Sequence, residues 1–219
     1  DFIFLNLLTF KSVLINVIYR VDFELRGNTM KYRINRDTII LDPNPVLRAK
    51  AEEVAFPLQD EDKELLLEML QYVRDSQDEE LSEKYNLQPA VGIAAPQVGV
   101  SKQMTAISVE MENKDGELER KEYALINPKI IAHSEKKAAL AVGEGCLSIK
   151  EDYPGLVPRY QRIRVKAYDL LQEQEVTLRL NNYLAIIFQH EIDHLHGVLF
   201  YDYINQKNPW DDENLKIIE

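Results

Sequence analysis

The sequence predicts an α+β fold in which mixed or antiparallel sheets pack around a central metal-binding helix. Short β-like runs recur through the middle of the chain, and a long amphipathic helix precedes them. A second helix carrying His190-Glu191-Ile192-Asp193-His194 closes the pattern. With 219 residues and 45% hydrophobic content the chain can bury one substantial core, and nothing in its composition demands a second domain.

Residues 1–29 run apolar from Asp1, yet Asn6, Thr9, Lys11, Ser12 and Asn16 interrupt them before the ~20 residues a membrane span needs. A basic leading segment and a small-residue cleavage site are both missing, so a secretory signal is not expected. Met30 follows Arg-Gly-Asn-Thr, whose codons can contain a purine-rich ribosome-binding run. We therefore expect 1–29 to be an upstream leader and 30–219 to be a single domain starting at Met30. The other reading is an amphipathic strand or helix packed on that domain.

Leu41–Leu47 contains Pro43 and Pro45, which lack donors and restrict their neighbours, so it reads as an extended lead-in. From Asp60 to Ser76, Leu65, Leu66, Met69, Leu70 and Val73 recur at three- and four-residue steps, with Asp60, Glu61 and Asp62 where a helix dipole favours acids. Gln77–Pro89 is a polar excursion that Leu81, Tyr85 and Leu87 can tether as a helical turn. Strands are expected at Val91–Ala95, Met104–Val109, Tyr123–Ile126, Ile163–Tyr168 and Glu175–Leu180, with a hairpin turn at Lys114-Asp-Gly116. The last helix spans Tyr183–His196, with Asn181 or Asn182 as N-cap and Gly197 at its stop.

The net charge of −11 opposes phosphate backbones and anionic lipid, which argues against a nucleic-acid or membrane-surface role. A single cysteine, Cys146, rules out an internal disulfide and suits a reducing compartment.

On a helix, His190 and His194 share one face with Glu191 beside them, a geometry that suits a metal. Satisfied core histidines are the bland alternative, but the apolar Ala185–Phe188 ahead of them implies a buried helix whose polar groups need partners. Two histidines need a third ligand to leave one position open. Cys146, in the glycine-flanked Gly143-Glu-Gly-Cys-Leu-Ser148, is the candidate, although a lone cysteine is more often a small buried hydrophobe. Gln97 ends the small apolar run from Ala90, where it can offer an amide donor to a substrate oxygen.

Together Ala90-Val-Gly-Ile-Ala-Ala-Pro-Gln97, Glu144-Gly-Cys-Leu-Ser148 and Gln189-His-Glu-Ile-Asp-His194 resemble the three signature motifs of peptide deformylases, in their order and separation. The resemblance runs from about Thr38 to Asn205, and the inserts at Gln77–Gln88 and Lys150–Pro154 look like the Gram-positive branch. It departs at Ala90, where the first motif usually has glycine.

The resemblance implies that residues 30–219 are a catalytic domain, and that Cys146, His190 and His194 hold Fe²⁺, with Zn²⁺, Ni²⁺ or Co²⁺ able to substitute. Glu191 is the implied general base and acid, with Gln97 and the Leu147 N–H as oxyanion donors. It implies an N-formylmethionyl nascent peptide lying along Val91, Gly92, Gly143 and Gly145, its methionine side chain against Val91, Val142, Ile186 and Ile187. Glu144 and Arg159 match an ion pair that steadies the cysteine segment, and Gln189 and Asp193 are expected to hydrogen-bond around the ligands. A cytoplasmic enzyme with at most transient ribosome contact is implied, although the chain ends in an acidic Asp211–Glu219 rather than a basic helix. The alternatives are another His-Glu-x-x-His metallopeptidase, which ordinarily takes a downstream Glu or His as third ligand, or a catalytically inactive relative.

Overall fold

The computed structural model describes residues 34–219, so the expected leader and the Met30 start lie outside the described residues. Three α-helices and eight strands are found there. Strands β1 (Gly92–Ala94), β2 (Met104–Glu112), β3 (Leu118–His133), β6 (Arg162–Asp169) and β7 (Gln174–Asn181) form one antiparallel sheet in the order β1-β2-β3-β6-β7. A second sheet, β5-β4-β8, joins β4 (Lys137–Leu140) to the two-residue β5 (Arg159–Tyr160) and, in parallel, to β8 (Leu215–Ile218). The mixed and antiparallel α+β architecture expected from the sequence is what forms.

Alternation along the strands explains the layering. On β2 and β3, Met104, Ala106, Ala124 and Ile126 face α1 (Asp60–Ser76) and join Leu66, Met69, Leu70 and Val73 in one apolar cluster. The intervening Ile107, Val109 and Leu125 face α3 (Asn182–His194) and pack with Ala185, Ile187 and Phe188. Helix α3 therefore lies against the sheet's other face, buried along most of its length. A period-two strand between two helices makes two cores from one sheet.

Several elements depart from expectation. Pro45–Arg48 forms a 3-10 turn rather than continuing the extended lead-in, because proline suits the first helical turn and Asn44 Oδ1 accepts from the Val46 N–H at 3.0 Å. The excursion after α1 contains α2 (Glu79–Tyr85), capped where Asp78 Oδ1 accepts from the Leu81 N–H at 3.0 Å. Helix α3 stops at His194, two residues short of the expected end. Its N-cap is Asn181, without a side-chain capping bond, while Asn182 Oδ1 accepts from Gln161 and Lys216 instead. Gly197 follows with φ +72°, and a Cβ there would meet the Arg48 carbonyl oxygen at 2.4 Å, so only glycine lets the helix end dock on the Pro45–Arg48 segment.

One ion pair ties α1 to the sheet. Arg74 donates to Glu122 at 2.5 and 2.6 Å, and Ser108 Oγ donates to the same carboxylate at 3.0 Å. Burial pushes Glu122 up, but the bonds and charge of Arg74, with Ser108 and Arg120, outweigh it and hold the carboxyl below its usual value. A depressed folded value means the stabilisation is present above the ordinary glutamate range and is lost as pH falls through it. Glu122→Gln is therefore expected to cost about 1–2 kcal/mol at neutral pH, a difference that shrinks on acidification. Urea unfolding of both proteins at neutral and acid pH measures it, and a pH-independent gap would refute the assignment.

Candidate active site

Three segments converge because each ends against α3. Strand β1 runs into the 3-10 turn Ala95–Val98 that carries Gln97, and β4 runs into the loop that carries Glu144, Cys146 and Leu147. Helix α3 presents His190, Glu191 and His194 between them. A cavity of about 390 Å³ lies at the junction, its walls including Val91, Gly92, Ile186 and Ile187 together with Gln97, Cys146, Leu147, His190 and Glu191.

The sulfur and imidazole donors of Cys146, His190 and His194 lie within 4.8 Å of one another. Cys146 Sγ is 3.2 Å from His194 Nε2. Glu144 Oε2 lies 2.8 Å from His190 Nδ1, which leaves His190 Nε2 free for the cluster. One thiol and two imidazoles are the donor types of a divalent first-row metal site with a fourth position open, so these residues fit such an ion. As bare side chains the imidazoles are pushed apart. Burial opposes the charge on His190, but hydrogen bonds to Cys146 and Glu144 raise it well above its usual value, whereas burial, then His190 and Arg159, hold His194 well below.

Behind His190 lies a buried ion network. Arg159 donates to Glu144 at 2.8 and 2.9 Å and also to Asp193. Burial pushes Glu144 up, yet Arg159 and His190 together bring it down to about 2. Tyr203 covers the Arg159 guanidinium at 4.7 Å. Removing Arg159 strands the Glu144 charge, so Arg159→Leu is expected to cost about 3–5 kcal/mol. A thermal melt coinciding with the parent protein's would contradict this.

Glu191 is buried against β1. Its Oε2 finds no hydrogen-bond partner among the described residues, and burial pushes its carboxyl up to about 7. A Cβ on Gly92 would lie 2.5 Å from Glu191 Oε1, so the glycine is what lets strand and carboxylate approach. Gln97 is pinned on both ends. Its Oε1 accepts from the Ala94 N–H at 2.9 Å, and its Nε2 donates to Ser148 Oγ at 3.2 Å and to Cys146 Sγ at 3.5 Å.

Some sequence expectations need correction. Val142 walls no part of the cavity and is 88% exposed, because β4 ends at Leu140 and the chain turns through Gly143 at φ +80°; Leu140 is the wall residue instead. Gly145 does line the cavity, with open space where a Cβ would stand, whereas Gly143 does not wall it and approaches the Gly155 carbonyl. Gln189 bonds to both backbone groups of Tyr160 and to the Ala185 carbonyl, pinning α3 to β5 rather than surrounding the ligands. Asp193 does reach the network, through Arg159. Sequence reasoning missed Tyr183, Gln77 and Gln88 as cavity walls, the Glu144 bond to His190, and Phe200, whose ring stacks on His190 at 6.1 Å. The apolar Leu199-Phe200 just after Gly197 was the available signal for the last.

Comparisons with known proteins place the chain in a family. The polypeptide deformylase family model matches residues 37–210. Peptide deformylase 2 of Bacillus subtilis (strain 168) is 49% identical over 187 residues, covering 85% of this chain and 99% of that protein. The crystal structure of the Thermus thermophilus peptide deformylase superposes with a TM-score of 0.59 at 32% identity, covering 78% of this chain and 86% of its own. A Met-Ala-Ser-bound class I type b peptide deformylase from Acinetobacter baumannii gives 0.58 at 28% identity, covering 76% and 96%. On these matches, the chain belongs to the polypeptide deformylase family.

Proposed function

We infer that the chain hydrolyses the formyl amide of N-formylmethionine at the N-terminus of newly made polypeptides, releasing formate. The observation that carries this reading is the meeting, in one cavity, of a Cys146/His190/His194 donor set with a buried Glu191 carboxylate whose Oε2 has no hydrogen-bond partner among the described residues. We assign Fe²⁺ as the native ion, with Zn²⁺, Ni²⁺ or Co²⁺ able to replace it. When bound, the metal supplies Lewis acidity.

The chain's own groups do the rest. Glu191 takes a proton from the attacking water and delivers it to the leaving amine nitrogen, and a carboxyl that holds a proton near neutral pH can serve in both directions. The C–N bond breaks as that proton arrives, so one water yields formate and a free amine. Gln97 Nε2 and the Leu147 N–H donate to the carbonyl oxygen as it gains charge, each worth ~3 kcal/mol of barrier. Val91, Ile186 and Ile187 receive the methionine side chain. The backbone at Gly92, Gly143 and Gly145 pairs with the extended peptide as it crosses the exposed Val142. The Acinetobacter relative bound to Met-Ala-Ser carries the kind of peptide this reaction leaves.

We place the enzyme in the cytoplasm, in transient contact with the ribosome, and take 30–219 as its single catalytic domain; the family match over 37–210 supports that extent. No helix among the described residues is long and apolar enough to cross a membrane. A metallopeptidase reading is disfavoured because the third donor, Cys146, comes from an upstream loop rather than from a downstream Glu or His. Anaerobic assay of the Fe²⁺-loaded protein should release formate from formyl-Met-Ala and leave acetyl-Met-Ala and Met-Ala intact. Cleavage of Met-Ala itself, or no formate from fully metallated protein, would overturn the assignment.

A further inference from the structure

The chain's −11 charge conceals a local reversal. On β6 the exposed positions of the alternating pattern are Arg162, Arg164 and Lys166, while Ile163, Val165 and Ala167 turn inward to α3. Register places Arg164 opposite Arg179 of β7, and Lys166 opposite Lys129 of β3. All five cations are exposed on one face of the sheet. Among the described residues, helix α1 covers that face over β1, β2 and β3 and leaves its β6–β7 half open.

Among the described residues, Lys166 alone of the five has a carboxylate partner, Glu175 at 3.0 Å. Lys129, Arg162, Arg164 and Arg179 make no salt bridge or side-chain hydrogen bond among the described residues. Like charges directly opposite one another destabilise a sheet. Protection of an edge strand accounts for a cation on β7, the sheet's last strand, but not for the row on the interior strand β6.

We propose that this β3–β6–β7 face docks the phosphate backbone of structured RNA without reading its bases. Guanidinium groups match phosphate bidentately, and alternate residues of a strand repeat every ~7 Å along a nearly flat row. Thr177 and Asn181, paired with Lys166 and Arg162, add neutral hydrogen-bonding groups to the same face. An anionic membrane fits less well, because surface insertion needs bulky apolar side chains beside the cations. The uncharged residues paired with the β6 cations are Ala132, Thr177 and Asn181, which are small or polar, and the exposed Ile131 at the adjoining β3 bulge is a single aliphatic side chain beside three cations. The docking is independent of the deformylase chemistry, since none of these residues lines the cavity.

The test is fluorescence anisotropy of a labelled RNA duplex of about 20 base pairs, titrated with the full chain from about 50 to 200 mM salt. The expected result is saturable binding that weakens steeply with salt. The triple variant Arg162→Gln, Arg164→Gln, Arg179→Gln should bind at least about tenfold more weakly and lower the salt slope by about 1 per cation removed. Arg164→Glu, a single reversal in the middle of the row, should show the same loss in smaller measure. Melting no lower than the parent's and unchanged formate release in both variants would separate lost docking from lost folding or lost chemistry. Absent binding by the parent chain at the lowest salt, equal binding by the triple variant, or tighter binding to phosphatidylglycerol vesicles than to RNA would each overturn the proposal.

Discussion

Glu191→Gln is expected to lose formate release by roughly 10²–10⁴-fold while keeping its metal and its fold. Glutamine has the same shape but can neither take a proton from water nor carry one to the departing nitrogen. Stability should move the other way or not at all, because burial, with the charge of Glu144, pushes the Glu191 carboxyl up to about 7 against His190 and Arg159, and a neutral amide carries less of that penalty. Elemental analysis, thermal melts and formate release on one preparation separate these effects. A variant that kept a tenth or more of parental turnover, with metal bound, would remove Glu191 from the proton path.

Gly92→Ala should be nearly as damaging to activity, by a route that sequence position alone does not suggest. The new Cβ would meet Glu191 Oε1 at 2.5 Å, Cδ at 2.7 Å and Cγ at 2.9 Å. These atoms are the far end of a side chain rather than backbone, so the protein relieves the clash by moving the carboxyl and not the strand. The expectation is a modest change in melting temperature and a loss of about 10²-fold in kcat, since displacement by about 1 Å suffices for that. Because the methionine pocket is untouched, KM should change little. If turnover fell in proportion to folded protein instead, the close packing of Gly92 on Glu191 would be structural only.

The central chemistry was legible because its signals are local. His190, Glu191 and His194 sit on one helix at fixed spacing, and Cys146 stands out as the chain's only cysteine. Helix Asp60–Ser76 was readable to its ends, since its apolar stripe and acidic first turn are both visible in sequence. Strands β4, β5 and β8 were not. Lys137-Ala-Ala-Leu140 has little alternation, β5 is two residues long, and Leu215–Ile218 follows an acidic stretch that reads as tail. Each becomes a strand only by pairing with distant chain, a tertiary effect that local pattern does not carry. The same holds at the site. Arg159 and Glu144 were recognisable as a pair, but the continuation to His190 depends on how the β4 loop folds across α3. Overall charge is silent on local pattern for a related reason: a sum over the chain does not register the exposed cationic positions Arg162, Arg164 and Lys166 of β6.

The parallel pairing of β4 with β8 has a consequence for how the enzyme comes into being. Leu140 is held against Ile218, and the Ala141 N–H donates to the Ile218 carbonyl at 2.9 Å, immediately before the turn that delivers Glu144 and Cys146. The strand that braces the cysteine loop thus follows α3 in the chain, so it can pair only after both histidines have been made. Making the histidine helix therefore does not by itself complete the support of the donor set; the cysteine arm is braced by a pairing that comes later in the chain.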